Sequence, residues 1–196
     1  MRNRLTKEQA EQILSPFIPT ITGSVKKGFR DYINSCARYS EKRSLELKAR
    51  TKATMIHNLI IERIREAFED APGITVKEYR DVFGLHFRNQ VFIRFNKFNS
   101  RLEPTKARTK QRTRFENQQT VIPGFPRKPM FLYAGYTFTP SMTGIGSINI
   151  SCRFKGNKEW MMEIFSHKPV QRQIAIGEPQ EKLVKVKQTN KLRKAS

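Results

Sequence analysis

The stretch FGLHFRNQVFIRF, residues 83–95, decides the fold. Phe83, Leu85 and Phe87 alternate with Gly84, His86 and Arg88. After a polar break at Arg88-Asn89-Gln90, Val91, Ile93 and Phe95 alternate with Phe92, Arg94 and Asn96. A period of two places each set on one side of an extended strand. Two such runs around a short polar break predict a β-hairpin.

Upstream of this hairpin the period differs. Met55, Ile56, Leu59, Ile60, Ile64, Ala67 and Phe68 recur at helical spacing. They form the apolar stripe of an amphipathic helix, with Glu62, Arg63, Arg65, Glu66 and Glu69 on its solvated side. Pro72-Gly73 ends it. Val25, Phe29, Tyr32, Ile33 and Cys36 predict another helix, starting near Thr22. Thr6 with Gln9 reads as the capping box of a first helix, which carries Ile13 and Leu14 and is stopped by Pro16 and Pro19.

Downstream, strands are predicted over Met130 to Phe138, Ile145 to Phe154 and Trp160 to Phe165. Thr139-Pro140-Ser141 through Gly144, and Gly156-Asn157, supply the turns between them. Gly135 inside a strand predicts a bulge or a close backbone approach. Helices first and strands afterwards imply an α+β fold, with N-terminal helices followed by an antiparallel sheet of about four to six strands. The chain divides into a helical region 1–73, a β region 74–166 with a basic insert at 101–119, and a tail 167–196. The tail has no aromatic residue and is rich in Lys and Gln, so it is expected to be basic and mostly flexible, with a short strand at Leu183 to Val186.

Charge narrows the partner. The 196 residues hold 38 Lys or Arg against 17 Asp or Glu, a net charge of +21 and a pI near 10.4. Such self-repulsion is relieved by a polyanion, and nucleic acid is the first candidate. An acidic protein partner and a purely solubilising role are the alternatives. No apolar run is long enough to span a membrane, and MRNRLTKEQAEQ has no apolar signal core, so neither a membrane partner nor secretion is expected. Cys36 and Cys152 lie far apart without metal or redox spacing. They fit buried thiols in a reducing, cytoplasmic setting.

Residues 104–119, PTKARTKQRTRFENQQ, carry the densest charge. Lys106, Arg108, Lys110, Arg112 and Arg114 fall at every second position. On a strand they would form one cationic face, about 6.6 Å apart, able to track a phosphate backbone. On a helix they would spread around the cylinder. Pro104-Thr105 suits a helix start, and Phe115 with Gln118 and Gln119 suits a helix end, so strand, helix and loop stay open. With Arg94, Lys97 and Arg101 these residues are the candidate phosphate contacts, which supply affinity without reading sequence. Phe92, Phe95 and Phe98 would stack on unpaired bases if they point outward, or form core if they point inward.

Catalytic motifs are absent. His57, His86 and His167 show no metal spacing, no phosphate-binding glycine loop or serine elbow occurs, and no cofactor is implied. A metal-independent nuclease built from Arg, Lys, Tyr and Gln leaves no spacing signature, so a toxin-type enzyme acting on nucleic acid stays an alternative.

The elements RFNKFN (94–99), Pro104-Thr105, Phe115 with Gln118, IPGFP (122–126), AGYTF (134–138) and the turn from Gly156 to Trp160 resemble a family of uncharacterised prokaryotic proteins from mobile or phage-like DNA. The resemblance covers residues 94–164. It implies the first gene of a two-gene unit, toxin–antitoxin-like, beside a helix-turn-helix regulator, and it implies no catalytic residue. The expected function is a basic, non-enzymatic nucleic-acid-binding component of such a module, with DNA or RNA as target. An interaction module for an acidic protein is a further alternative.

Overall fold

Thr6 opens helix α1 (Lys7–Leu14) with the expected capping box. Its hydroxyl accepts the Gln9 N–H at 3.3 Å, and the Gln9 side chain accepts the Thr6 N–H at 2.9 Å. Pro16 lies in a short 3-10 turn, Ser15–Phe17. Pro19 does not stop a helix but opens one, because α2 runs Ile18–Cys36 and so begins before Thr22. The missing proline N–H costs nothing in a first turn, where φ is already suited to the helix. The computed structural model describes residues 5–37, 47–79, 82–105, 109–119 and 129–167.

Helix α3 (Ala49–Phe68) buries Ile56, Ile60, Ile64 and Phe68, one residue per turn. Ala67, at the edge of the stripe, is exposed. Helices α2 and α3 cross where Gly28 meets Ile60. A Cβ at Gly28 would stand 2.6 Å from the Ile60 Cα, so only glycine permits this approach. The Arg63 guanidinium donates to Asp31 across the same helix pair at 2.5 Å.

Six strands follow: β1 (Ile74–Tyr79), β2 (Val82–Phe87), β3 (Val91–Lys97), β4 (Met130–Phe138), β5 (Ile145–Phe154) and β6 (Asn157–Ser166), in spatial order of sequence. The hairpin read from 83–95 is β2–β3. Arg88 and Asn89 both have positive φ, 45° and 59°, and the Gln90 N–H donates to the Phe87 carbonyl at 2.9 Å. That is the signature of the tight turn whose twist matches a hairpin. Lys155 and Gly156, with φ of 50° and 85°, repeat it between β5 and β6. β1 pairs with β2 at one edge of the sheet and was not among the strands expected. Its alternation is short and rich in charge.

The sheet departs from the expectation in one pairing. β1–β2–β3 and β4–β5–β6 are antiparallel meanders, but β3 and β4 run parallel, with Val91 opposite Met130 and Lys97 opposite Tyr136. Parallel neighbours require a crossover, here the long connection from Phe98 to Pro129.

The sheet has two unlike faces. Odd residues of β3 and even residues of β4 and β5, such as Ile93, Leu132 and Ile150, face the three helices and form the larger core. Cys152 is buried there, and Cys36 and Trp160 are half-buried against it. The buried Tyr136 hydroxyl lies 3.2 Å from His57 Nδ1 on α3. The opposite face carries a smaller cluster of Val82, Phe92, Phe98, Phe131 and Tyr133, covered by Phe115 from the crossover.

Candidate nucleic-acid interface

The crossover begins with a turn organised by Asn99, whose side-chain oxygen accepts the N–H groups of Arg101 and Glu103 at 2.9 Å each. Its later part is helix α4 (Lys110–Glu116), capped by the Thr109 hydroxyl. The helix ends where Gln118 takes φ 58°, with Gln118 N–H donating to Phe115 and Gln119 N–H to Arg114. This is the paired C-terminal bonding of a left-handed cap. The Gln118 side chain then pairs with the backbone of Phe131, donating at 2.9 Å and accepting at 2.7 Å, and so ties the helix to β4. Of the three conformations open for 104–119, helix is therefore realised over Lys110–Glu116.

Helical spacing separates the cations, as the period-3.6 reading requires. Lys110 and Arg114 are exposed, and so is Arg101 in the preceding turn. Arg112 turns inward. Its Nε donates to Glu116 at 2.7 Å and its Nη1 to the Pro104 carbonyl at 3.1 Å. Glu116 is only 4 % exposed and also stands 3.7 Å from the buried Arg153 guanidinium, whose Nη2 donates to the Gly156 carbonyl at 2.6 Å. Lys106 and Arg108 lie outside the described residues.

Arg94 and Lys97 lie on opposite faces, because they stand three positions apart, an odd offset, on one strand. Lys97 points to the helix side, its ammonium 4.8 Å from the Phe138 ring. Arg94 lies on the crossover side, beside Tyr133 in register and 6.0 Å from the Phe115 ring. It is half-buried and forms no ion pair with any described carboxylate. Burial pushes its pKa down, Tyr133 opposes this, and the neighbouring Arg112 charge adds to it. A guanidinium stays charged at neutral pH even so. Burial, with Glu116 nearby, pushes the Tyr133 hydroxyl up to about 12, so it remains a neutral phenol.

Phe92, Phe95 and Phe98 are all buried and form core. The Phe98 ring lies on Gly135, where a Cβ would come within 2.1 Å of it, so that glycine serves a close approach. Base stacking by these rings is excluded by their placement. The Glu116–Arg153 contact was missed from sequence, although the spacing of Arg112 and Glu116 in a helix signals the first half of it. Among the described residues no three His, Cys, Asp or Glu side chains gather into a metal site, and no helix is long and apolar enough to cross a membrane. Compared with protein-family models, with curated proteins and with solved structures, the chain matches none.

Proposed function

We propose that the protein is a nucleic-acid-binding component of a mobile-element or phage-type two-gene module, gripping its target through phosphates. One observation carries this reading. Arg101, Lys110 and Arg114 are exposed on the crossover and pair with no described carboxylate, in a chain of net charge +21. Cations left unpaired on a strongly basic protein are the footprint of phosphate contact. Lys106 and Arg108 belong to the same connection by sequence, and Arg94 stands behind it. Arg112 is committed to Glu116 and Lys97 to the helix side, so both contribute to the fold rather than to the phosphate contact. The module rests on the resemblance of residues 94–164, which also supplies the helix-turn-helix regulator as a partner.

Fluorescence anisotropy of the full chain with labelled oligonucleotides tests the proposal. With six to ten phosphates neutralised, affinity falls by roughly 10³–10⁵ between about 50 and 200 mM salt. Arg101→Gln, Lys110→Gln and Arg114→Gln each lower the slope of log K against log salt by about one. Arg112→Gln leaves the slope unchanged. A flat response to salt overturns the reading. Capture of the regulator that survives nuclease treatment supports the module.

A further inference from the structure

Helix α2 and the end of the sheet formed by the β4–β5 loop and β6 leave an open groove of 380 Å³. Phe29, Ile145 and Phe165 give it an apolar lining, and Lys26, Arg30 and His167 give it nitrogen donors. The Lys26 ammonium rests 3.5 Å above the centre of the Phe165 ring. Asp31, the carboxylate nearest in sequence, is held by Arg63, and neither Lys26 nor Arg30 forms an ion pair with a described residue. Ile33, in the lining, and Met142, next to Thr143 in it, are the exposed large apolar side chains among the described residues. The groove is thus cationic and aromatic, and it contains no carboxylate among its lining residues.

We infer that this groove seats one unstacked nucleotide of a single strand, its phosphate on Arg30 and Lys26 and its base on the Phe165 ring. The inference rests on the nucleic-acid reading above and specifies its substrate as single-stranded. A cation on an aromatic face holds more weakly than a stacked base. The base therefore takes the place of the ammonium, and the flexible lysine swings to the phosphate. A duplex must first unpair and unstack a base, at a cost of a few kcal/mol, before it can offer one to a concave site, and a single strand escapes that cost. The chain's own continuation does not suit the groove. Residues 168–196 carry eight Lys or Arg against two Glu, the same sign as the lining. A volume of this size accepts one nucleotide rather than an extended segment.

The test uses the full chain, a labelled oligothymidylate, and the same oligomer with abasic sites. The wild type is expected to bind the oligothymidylate about 5- to 100-fold more tightly than the abasic strand, the range of one stacked base. Phe165→Leu removes that preference, and Arg30→Gln weakens both strands. Arg114→Gln, on the crossover, weakens both and keeps the preference. Arg30 is exposed on α2, so its variant decides the matter even where Phe165→Leu loses its fold. Wild-type affinity and preference in Arg30→Gln overturn the groove while leaving phosphate binding intact. Wild type that binds neither strand overturns the underlying reading as well. Loss of polyglutamate binding in Arg30→Gln with oligonucleotide binding unchanged assigns the groove to an acidic protein and overturns the inference.

Discussion

Glu116 is one carboxylate between two guanidinium groups, and nearly all of it is out of water. Arg112 reaches it at hydrogen-bond distance and Arg153 at ion-pair distance. Removing the shared partner leaves Arg112 without this carboxylate and Arg153 with only its 3.5 Å contact to Glu103, in a poorly hydrated place, which costs far more than losing a surface pair. Glu116→Gln is expected to lower unfolding stability by about 3–5 kcal/mol in urea titration. Glu78→Gln, which breaks the exposed pair with Arg65, is expected to change it by less than about 1 kcal/mol. His86 gives a second test at this scale. It is 1 % exposed, and burial lowers its pKa below the ordinary 6.5. The unfolded chain therefore takes up a proton near pH 6.5 that the folded chain resists. Stability from this group is intact above that pH and declines as pH falls below it, by up to about 1.4 kcal/mol per unit. Urea midpoints measured from about pH 7.5 to 5 should fall in the wild type and flatten in His86→Gln. A His86→Gln midpoint that declines as steeply as the wild type's would assign the effect to other groups.

At the scale of elements, what could be read from sequence followed the strength of periodicity. The apolar stripe of α3 was visible because it repeats over many residues, Ile145–Phe154 because Ile148, Ile150 and Cys152 alternate with polar residues, and Met130–Phe138 as a continuous apolar run, buried on both faces. The start of α2 was misplaced because Pro19 signals both an end and a beginning, and only the neighbouring turn at Ser15–Phe17 decides which. β1 escaped because Ile74 and Val76 are too few to show alternation beside Lys77 and Glu78. The alternating cations of 104–119 suggested a strand as readily as a helix. Thr109 capping and the burial of Phe115 on Phe131 and Tyr133 outweighed that pattern. The candidate site was legible as charge but not as geometry, since nothing in the spacing says that Arg112 turns inward or that Lys97 and Arg94 part company. The groove beside α2 draws on residues more than a hundred positions apart, so no local reading finds it. The α2–α3 crossing yields its own prediction. Gly28→Ala forces a methyl against the Ile60 backbone and is expected to cost about 1–3 kcal/mol, seen as a lower thermal midpoint. Gly23→Ala, in the same helix with open space around it, is expected to be neutral or stabilising.

For the whole molecule, charge and topology point in different directions. The described residues hold 20 Lys or Arg and 12 Asp or Glu, so most of the surplus of +21 is contributed by the remaining sequence, above all 168–196. Deleting 168–196 is accordingly expected to reduce the salt slope more than any single substitution on the crossover. Topology has its own consequence, which follows from the parallel seam. Each three-stranded meander closes through local turns, but β3 meets β4 only after a loop of some thirty residues is drawn shut, and that contact is the slow kind. Until it forms, both meanders present a bare edge. Refolding at high protein concentration is then expected to trap intertwined dimers that have traded their C-terminal meanders, and dilution before refolding should suppress them.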